Sequence, residues 1–236
     1  MSEKKIAVVT GGSAGIGEAA ARALAKDGYT VYVCARRKEL CDDIAAEIGG
    51  VGVELDVTDE GSVEKLASVL ERVDVLVNNA GGAKGLDPLR EAKPEDWDWM
   101  YQTNVLGTVR VTKALYPAIV AAEGLVINIG SVAGWDAYVG GSGYNAAKFG
   151  LRALTRAFRR EEADTPIRIT EIDPGRVKTD FAYYRFGDEA RAAEVYDGKL
   201  NLTAEDIAEA IRWVASLPPH VNIDTMNIMP RDQAER

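Results

Sequence analysis

The sequence predicts a doubly wound α/β domain: one sheet of seven mainly parallel strands with helices on both faces. Three observations predict it. Short β-rich runs alternate with helical stretches along almost the whole chain, the order that crossover connections impose on a parallel sheet. The run 73–77 reads as a continuous apolar strand of the kind such sheets bury on both faces. The length of 236 residues fits one large core, below the roughly 250–300 residues at which cores tend to split. No repeat, linker or low-complexity segment divides residues 1–236.

Ile6–Thr10 is the first strand and stops at glycines. The alanine-rich stretch 18–26 is the first helix, closed by Gly28 as a helix C-terminal glycine does. Thr30–Ala35 is a strand, and Lys38–Ile48 a helix ended by Gly49-Gly50. Strand 51–55 follows, then Asp59 and Glu60 open a helix over 62–71. Beyond strand 73–77 lies a polar loop with Gly81, Gly82, Gly85 and Pro88, and Pro94 starts a helical region reaching about residue 122. Leu125–Ile129 is a strand, and the glycine-rich loop 130–143 leads to a helix carrying Tyr144 and Lys148. Strand 167–172 ends at Pro174-Gly175, and residues 176–202 read as irregular, charged chain with aromatics. Thr203-Ala204-Glu205-Asp206 has the form of a helix cap with acids in the first turn. That helix runs to about residue 217; Pro218-Pro219 precedes a final strand over about 222–229.

Apolar content of 47% and charged content of 28% are those of a soluble globular protein. A net charge of -9 argues against nucleic acid or an anionic membrane surface as partner, because both need a basic face. No stretch approaches the roughly 20 apolar residues of a membrane span, and the first residues lack a signal-peptide pattern, so a cytoplasmic location is expected. Cys34 and Cys41 fit no metal or redox spacing. No metal is expected, and the sole histidine, His220, reads as structural.

Candidate functional residues fall at the carboxyl ends of strands, where open α/β sheets bind ligands. Gly11, Gly15 and Gly17 lie in a turn directly after the first strand, where glycines bring backbone amides up to a pyrophosphate. Tyr144 and Lys148 are four apart and share a helix face. An ammonium beside a phenol favours the phenolate, so Lys148 is expected to lower the Tyr144 pKa and make it a general acid/base. Ser131, upstream, could hold the same substrate oxygen. At the end of the second strand Ala35 stands where an NAD enzyme places an acid, and Arg36 and Arg37 follow. Guanidinium groups bind a 2′-phosphate by charge-assisted paired hydrogen bonds, so NADP is expected, mainly through Arg36.

Taken together, Gly11-x-x-x-Gly15-x-Gly17, Asn78-Asn79-Ala80-Gly81, Asn104, Ser131, Tyr144-x-x-x-Lys148 and Pro174-Gly175 resemble the short-chain dehydrogenase/reductase family over residues 5–230. The resemblance implies a Rossmann-type dinucleotide-binding catalytic domain. It places Ser13 and Ile16 beside the pyrophosphate glycines, Asp56 and Val57 at adenine, and Asn78, Ala80 and Gly81 along the ribose and groove. Pro174, Gly175, Val177 and Thr179 would flank the nicotinamide, and Lys148 would bind its ribose. Asn104, Ser131, Tyr144 and Lys148 form the implied catalytic set, with Asn104 anchoring a water that relays protons through Lys148.

Residues 176–202 occupy the position that covers substrate in this fold. That segment, the stretch 217–230 and Ile129-Gly130-Ser131 resemble the branch of NADP-dependent 3-hydroxy-acid dehydrogenases that oxidise serine or allo-threonine and reduce malonic semialdehyde. A small hydroxy acid needs a cation for its carboxylate. Arg185 is the first candidate, because a guanidinium grips a carboxylate at two points; Arg176 and Lys178 come after it. The expected function is an NADP-dependent oxidoreductase for a small alcohol or carbonyl substrate of the 3-hydroxy-acid type. The alternatives are a reductase for another ketone or a 3-oxoacyl substrate, or an NADP-binding protein without turnover. Apolar residues on more than one face of the helices around 97–122 and 145–162, with the resemblance, imply a homotetramer.

Overall fold

The computed structural model describes residues 4–234. Strands β1 (Ile6–Thr10), β2 (Thr30–Ala35), β3 (Val51–Glu54), β4 (Val75–Asn78), β5 (Leu125–Ile129), β6 (Arg168–Pro174) and β7 (Thr225–Ile228) form one sheet in the order β3-β2-β1-β4-β5-β6-β7. Every pairing is parallel, β7 included. The order reverses between β1 and β4, so a crevice opens beyond their carboxyl ends. Thr10 ties the two strands there: its hydroxyl donates to Val77 O at 3.3 Å and accepts from Asn79 N and Ala80 N, both at 3.0 Å.

Alternate strand residues feed two cores, as a pleated sheet requires. Ala7, Val9, Val33, Val77 and Ile127 pack under α1 (Gly15–Lys26), α2 (Lys38–Ile48) and α9 (Ala204–Ser216). Val8, Leu76, Val126 and Ile169 pack under α3 (Glu60–Ala67) and α5 (Gly107–Ala121), with α6 (Ser142–Glu161) closing that side. Leu24, Leu115, Ile119, Ile207 and Ile211 are almost completely buried, and each such side chain contributes about 1.5–3 kcal/mol of transfer free energy.

The expected elements are present with three differences. The helical region from Pro94 is not continuous: α4 (Pro94–Tyr101) passes into a π-turn over Gln102–Leu106 before α5. The carbonyl ladder is interrupted there because Asn104 Nδ2 donates to Met100 O at 2.7 Å and to Gly82 O at 2.9 Å. Residues 176–202 are not irregular: they contain α7 (Phe181–Phe186) and α8 (Glu189–Tyr196). Gly187, at φ 65, ends the first, and the Asp188 side chain caps the second. The first helix begins at Gly15, before the alanine-rich stretch.

Candidate active site

The turn between β1 and α1 is built for close approach by an anion. Gly11 and Gly15 have φ of 64 and 56, a region that costs other residues roughly 1–2 kcal/mol. Ala14 stands at the helix N-cap and offers no side-chain cap, whereas α3, α8 and α9 are capped by Asp59, Asp188 and Thr203. The first N–H groups of α1 are therefore left for a ligand. A Cβ at Gly17 would run into Gly11 O, so Gly17 packs the turn and does not line the space in front of it.

That space is a cavity of about 780 Å3 running along the carboxyl ends of the strands. Gly11, Ser13, Gly15 and Ile16 line its first wall. Arg36, Arg37, Asp56 and Val57 line the end beyond β2 and β3. Ala80 and Gly81 follow β4, and Pro174, Gly175, Val177 and Thr179 follow β6, all facing the same space. Ser131, Tyr144 and Lys148 form its inner end, and Arg185 comes over it from α7. Besides Gly17, two expected residues stand elsewhere. Asn78 points under the sheet, its Nδ2 donating to Thr112 Oγ1 and Asn128 Oδ1 at 2.9 Å each, and Asn79 lines the cavity in its place. Asn104 is buried behind the loop after β4, where it also accepts from Gly82 N at 3.2 Å.

The two neighbouring arginines differ. Arg37 is tied by Nη2 to Ser13 Oγ at 3.0 Å and by Nη1 to the Tyr184 hydroxyl at 2.8 Å. Arg36 has no hydrogen bond or ion pair among the described residues, which leaves its whole guanidinium for a ligand. Burial raises the Asp56 carboxyl, but two hydrogen bonds from Thr58 and the nearby Arg36 and Arg110 outweigh it and hold Asp56 below the usual range.

At the inner end, Tyr144 and Lys148 are 9% and 7% exposed. Lys148 Nζ donates to Ile129 O at 2.8 Å and lies 5.8 Å from the Tyr144 ring centre. Ser131 Oγ accepts from Ala133 N at 3.1 Å, and Ser131 acts to lower the Tyr144 phenol. The expected downward shift of that phenol is not what the structure has. Burial, followed by Tyr138, pushes it up, against hydrogen bonding with Ser131 and the charge of Arg185. Burial also lowers Lys148 to about 8, with Asp173 and Glu171 opposing. Both shifts follow from taking charge out of water. Lys148 is itself desolvated, so burial works to neutralise the very ammonium that would favour the phenolate.

Arg185 Nε donates to Gly85 O at 2.7 Å and its Nη1 to the Tyr138 hydroxyl at 2.8 Å. Gly85 N donates back to Arg185 O at 3.2 Å, so α7 is clasped across the cavity to the loop after β4. The guanidinium lies 5.7 Å from the Tyr144 ring centre. Arg176 and Lys178 are placed differently. Arg176 pairs with Asp232 at 2.8 Å and bonds Asn201 and Leu200 O, and Lys178 lies outside the cavity. Sequence reasoning missed Tyr138, Tyr184 and Thr10. The hydroxyls of all three do their work across chain separations that no local pattern records. Among the described residues no group of His, Cys, Asp or Glu is placed to hold a metal ion.

A family model described as short chain dehydrogenase matches residues 5–190. An uncharacterized oxidoreductase of Mycobacterium tuberculosis is 52% identical over 235 residues, covering 99% of this chain and 94% of that protein. A protein named NADP-dependent 3-hydroxy acid dehydrogenase, from Escherichia coli K12, is 39% identical over 238 residues, covering 97% and 96%. The solved closed form of serine dehydrogenase complexed with NADP+ superposes with a TM-score of 0.94 at 39% identity, covering 98% of this chain and 96% of that one.

Proposed function

The chain belongs to the short-chain dehydrogenase family, and on that footing we propose that it is an NADP-dependent oxidoreductase acting on the CH–OH group of a small 3-hydroxy acid. Serine, allo-threonine and the 3-hydroxypropionate/malonic semialdehyde pair are the proposed substrates. The observation that carries the reading is a cation above the acid/base pair: Arg185, clasped by Gly85 and Tyr138, stands 5.7 Å from the Tyr144 ring. A carboxylate two carbons from the reacting hydroxyl is the anion that such a placement fits.

NADP, when bound, supplies or takes up the hydride. The uncapped N-terminus of α1 and the left-handed glycines suit its pyrophosphate, and the unengaged Arg36 suits its 2′-phosphate. Asp56 and Val57 hold the adenine end; Ala80, Gly81, Pro174, Gly175, Val177 and Thr179 line the path to the inner end. There Tyr144 moves the proton at the substrate oxygen, Ser131 donates a hydrogen bond to that oxygen, and Lys148 supports the phenolate. Asn104 fixes Gly82 and the loop above the reacting atoms and completes the relay that refills Lys148 with protons. The segment 176–202, through α7, closes over the substrate.

Tyr101 of α4 packs over Gly150 of α6, and Tyr101 and Phe149 are 47% and 41% exposed. This face pairs two copies, with a homotetramer as the assembly. Among the described residues no helix is long and apolar enough to cross a membrane, and the cytoplasm is the proposed location.

The test is nicotinamide absorbance with NADP or NAD and L-serine, L-allo-threonine or 3-hydroxypropionate. Turnover with NADP, and a KM for the acid that rises about 10- to 100-fold in Arg185→Met, would support the reading, since charge-assisted hydrogen bonds contribute about 1.5–3 kcal/mol. An equal rise for an uncharged alcohol would remove Arg185 from substrate binding, and turnover with NAD alone would remove Arg36 from cofactor choice.

A further inference from the structure

Beneath the catalytic lysine lies a pair of acids that the reaction as described does not use. Glu171 and Asp173 are two apart on β6 and therefore share a sheet face, the one covered by α6. They are 1% and 0% exposed. A Cβ on Gly130 would strike oxygens of both, so the pair occupies room that only a glycine just after the neighbouring strand β5 leaves.

Their partners differ. Asp173 Oδ1 accepts from Ser131 N at 3.0 Å, and its Oδ2 accepts from Trp135 Nε1 at 2.8 Å. Both oxygens of Glu171 lack a donor. Asn128, level with Glu171 on β5, cannot help: its Nδ2 donates to Thr155 Oγ1 and its Oδ1 accepts from Asn78, each at 2.9 Å. Two buried carboxyl groups that crowd the same point beside Gly130, one donor-rich and one donor-free, are best satisfied by one proton between them, placed on the donor-free partner.

We propose that Glu171 and Asp173 form a singly protonated unit, in which Glu171 donates to Asp173, and that its one negative charge is the counter-ion that keeps Lys148 an ammonium beside Tyr144. Glu171 and Asp173 are then positioning residues acting through Lys148, so this inference rests on the catalytic role assigned to that lysine. Charged groups around the pair agree. From α6, Lys148 and Arg152 face it, Arg152 stacked 3.4 Å over Trp135. Tyr144, on the same helix, feels the charge of Asp173. Asp224, where β7 begins, is paired with Arg159 at 3.2 Å. Burial first, then Asp173, pushes Glu171 up to about 8; burial raises Asp173 as well, but there the Trp135 and Ser131 donors and the charge of Lys148 oppose it and favour the ionised form. Against the burial that lowers Lys148, Asp173 and Glu171 are the two groups that raise it.

The experiment uses the full chain with NADP and two variants, Glu171→Gln and Asp173→Asn. The folded protein keeps the Glu171 proton up to about 8, whereas the unfolded chain releases it near the ordinary 4.5. The unfolded state therefore binds fewer protons in that window, and stability must fall as pH rises through it. Glu171→Gln keeps a donor to Asp173 but cannot ionise, so its Tm should lack that part of the decline. Asp173→Asn removes the charge, and the alkaline limb of kcat should move to lower pH by about one unit, a tenfold change in proton affinity at Lys148. A Glu171→Gln protein whose Tm declines with pH as steeply as the wild type overturns the shared proton. A folded, NADPH-binding Asp173→Asn protein with an unmoved alkaline limb overturns the counter-ion role. If Asp173→Asn does not fold, the Tm comparison still decides the first point. Failure of the proposed reaction itself would show separately, as no turnover of the 3-hydroxy acids by the wild-type protein with NADP, and failure of the acid/base assignment as undiminished turnover in Tyr144→Phe.

Discussion

The two ends of the cavity handle charge in opposite ways. At the inner end Lys148, Glu171 and Asp173 are all buried, with exposures of 7%, 1% and 0%. At the other end Arg36 and Arg37 are exposed to solvent. A charge in a low-dielectric interior interacts strongly with its neighbours and is costly to leave unpaired; an exposed charge is screened and worth little until a ligand covers it. The inner end is therefore arranged for chemistry that depends on protonation state, and the outer end for a ligand that brings its own charge.

The comparison predicts effects of decreasing size along the cavity. Tyr144→Phe should lower kcat by about 10²- to 10⁴-fold, the range of a lost general acid/base, with NADPH binding retained in a fluorescence titration. A loss below about tenfold would mean that the buried end does not control the rate. Because burial holds the phenol up, the wild-type oxidation rate, which needs the phenolate, should climb with pH above neutrality, whereas carbonyl reduction, which needs the protonated phenol, should stay nearly level. Arg36→Ala should raise KM for NADP by about 10- to 100-fold and leave NAD nearly unaffected, as initial rates with each cofactor would show. Tyr184→Phe is the mildest test. It removes the hydroxyl that accepts from Arg37 and keeps the ring 5.7 Å from that guanidinium, so KM for NADP should change by less than about fivefold. A larger change would make the contact between Arg37 and α7 part of cofactor binding.

Much of this could be read from the chain because parallel strands are buried on both faces and so appear as apolar runs. Val75–Asn78 and Leu125–Ile129 are the clearest cases, each buried at every position. The glycine turn and the Tyr144/Lys148 pair were legible because their spacing is fixed by local geometry. Other features depend on what the chain meets at a distance. Glu171 and Asp173 alternate with Thr170 and Ile172, a pattern that on its own suggests one wet face; α6 makes that face dry. The helices of the segment 176–202 are short, and their placement depends on contacts such as Arg185 with Gly85 and Tyr196 with Thr179 O. The sign of the Tyr144 shift could not be read from its neighbour four residues away, because burial is a property of the whole site.

The strand order also sets a schedule. The three strands β3, β2 and β1 come from the first 54 residues, and β4, which completes the crevice beside β1, is finished at Asn78. Lys148 and α7 follow much later in the chain. During synthesis, which proceeds from the N-terminus, the wall that suits a pyrophosphate can assemble before the proposed acid/base group or its proposed cover exists. A nascent chain can thus acquire a grip on the nucleotide well before it acquires anything able to transfer a proton.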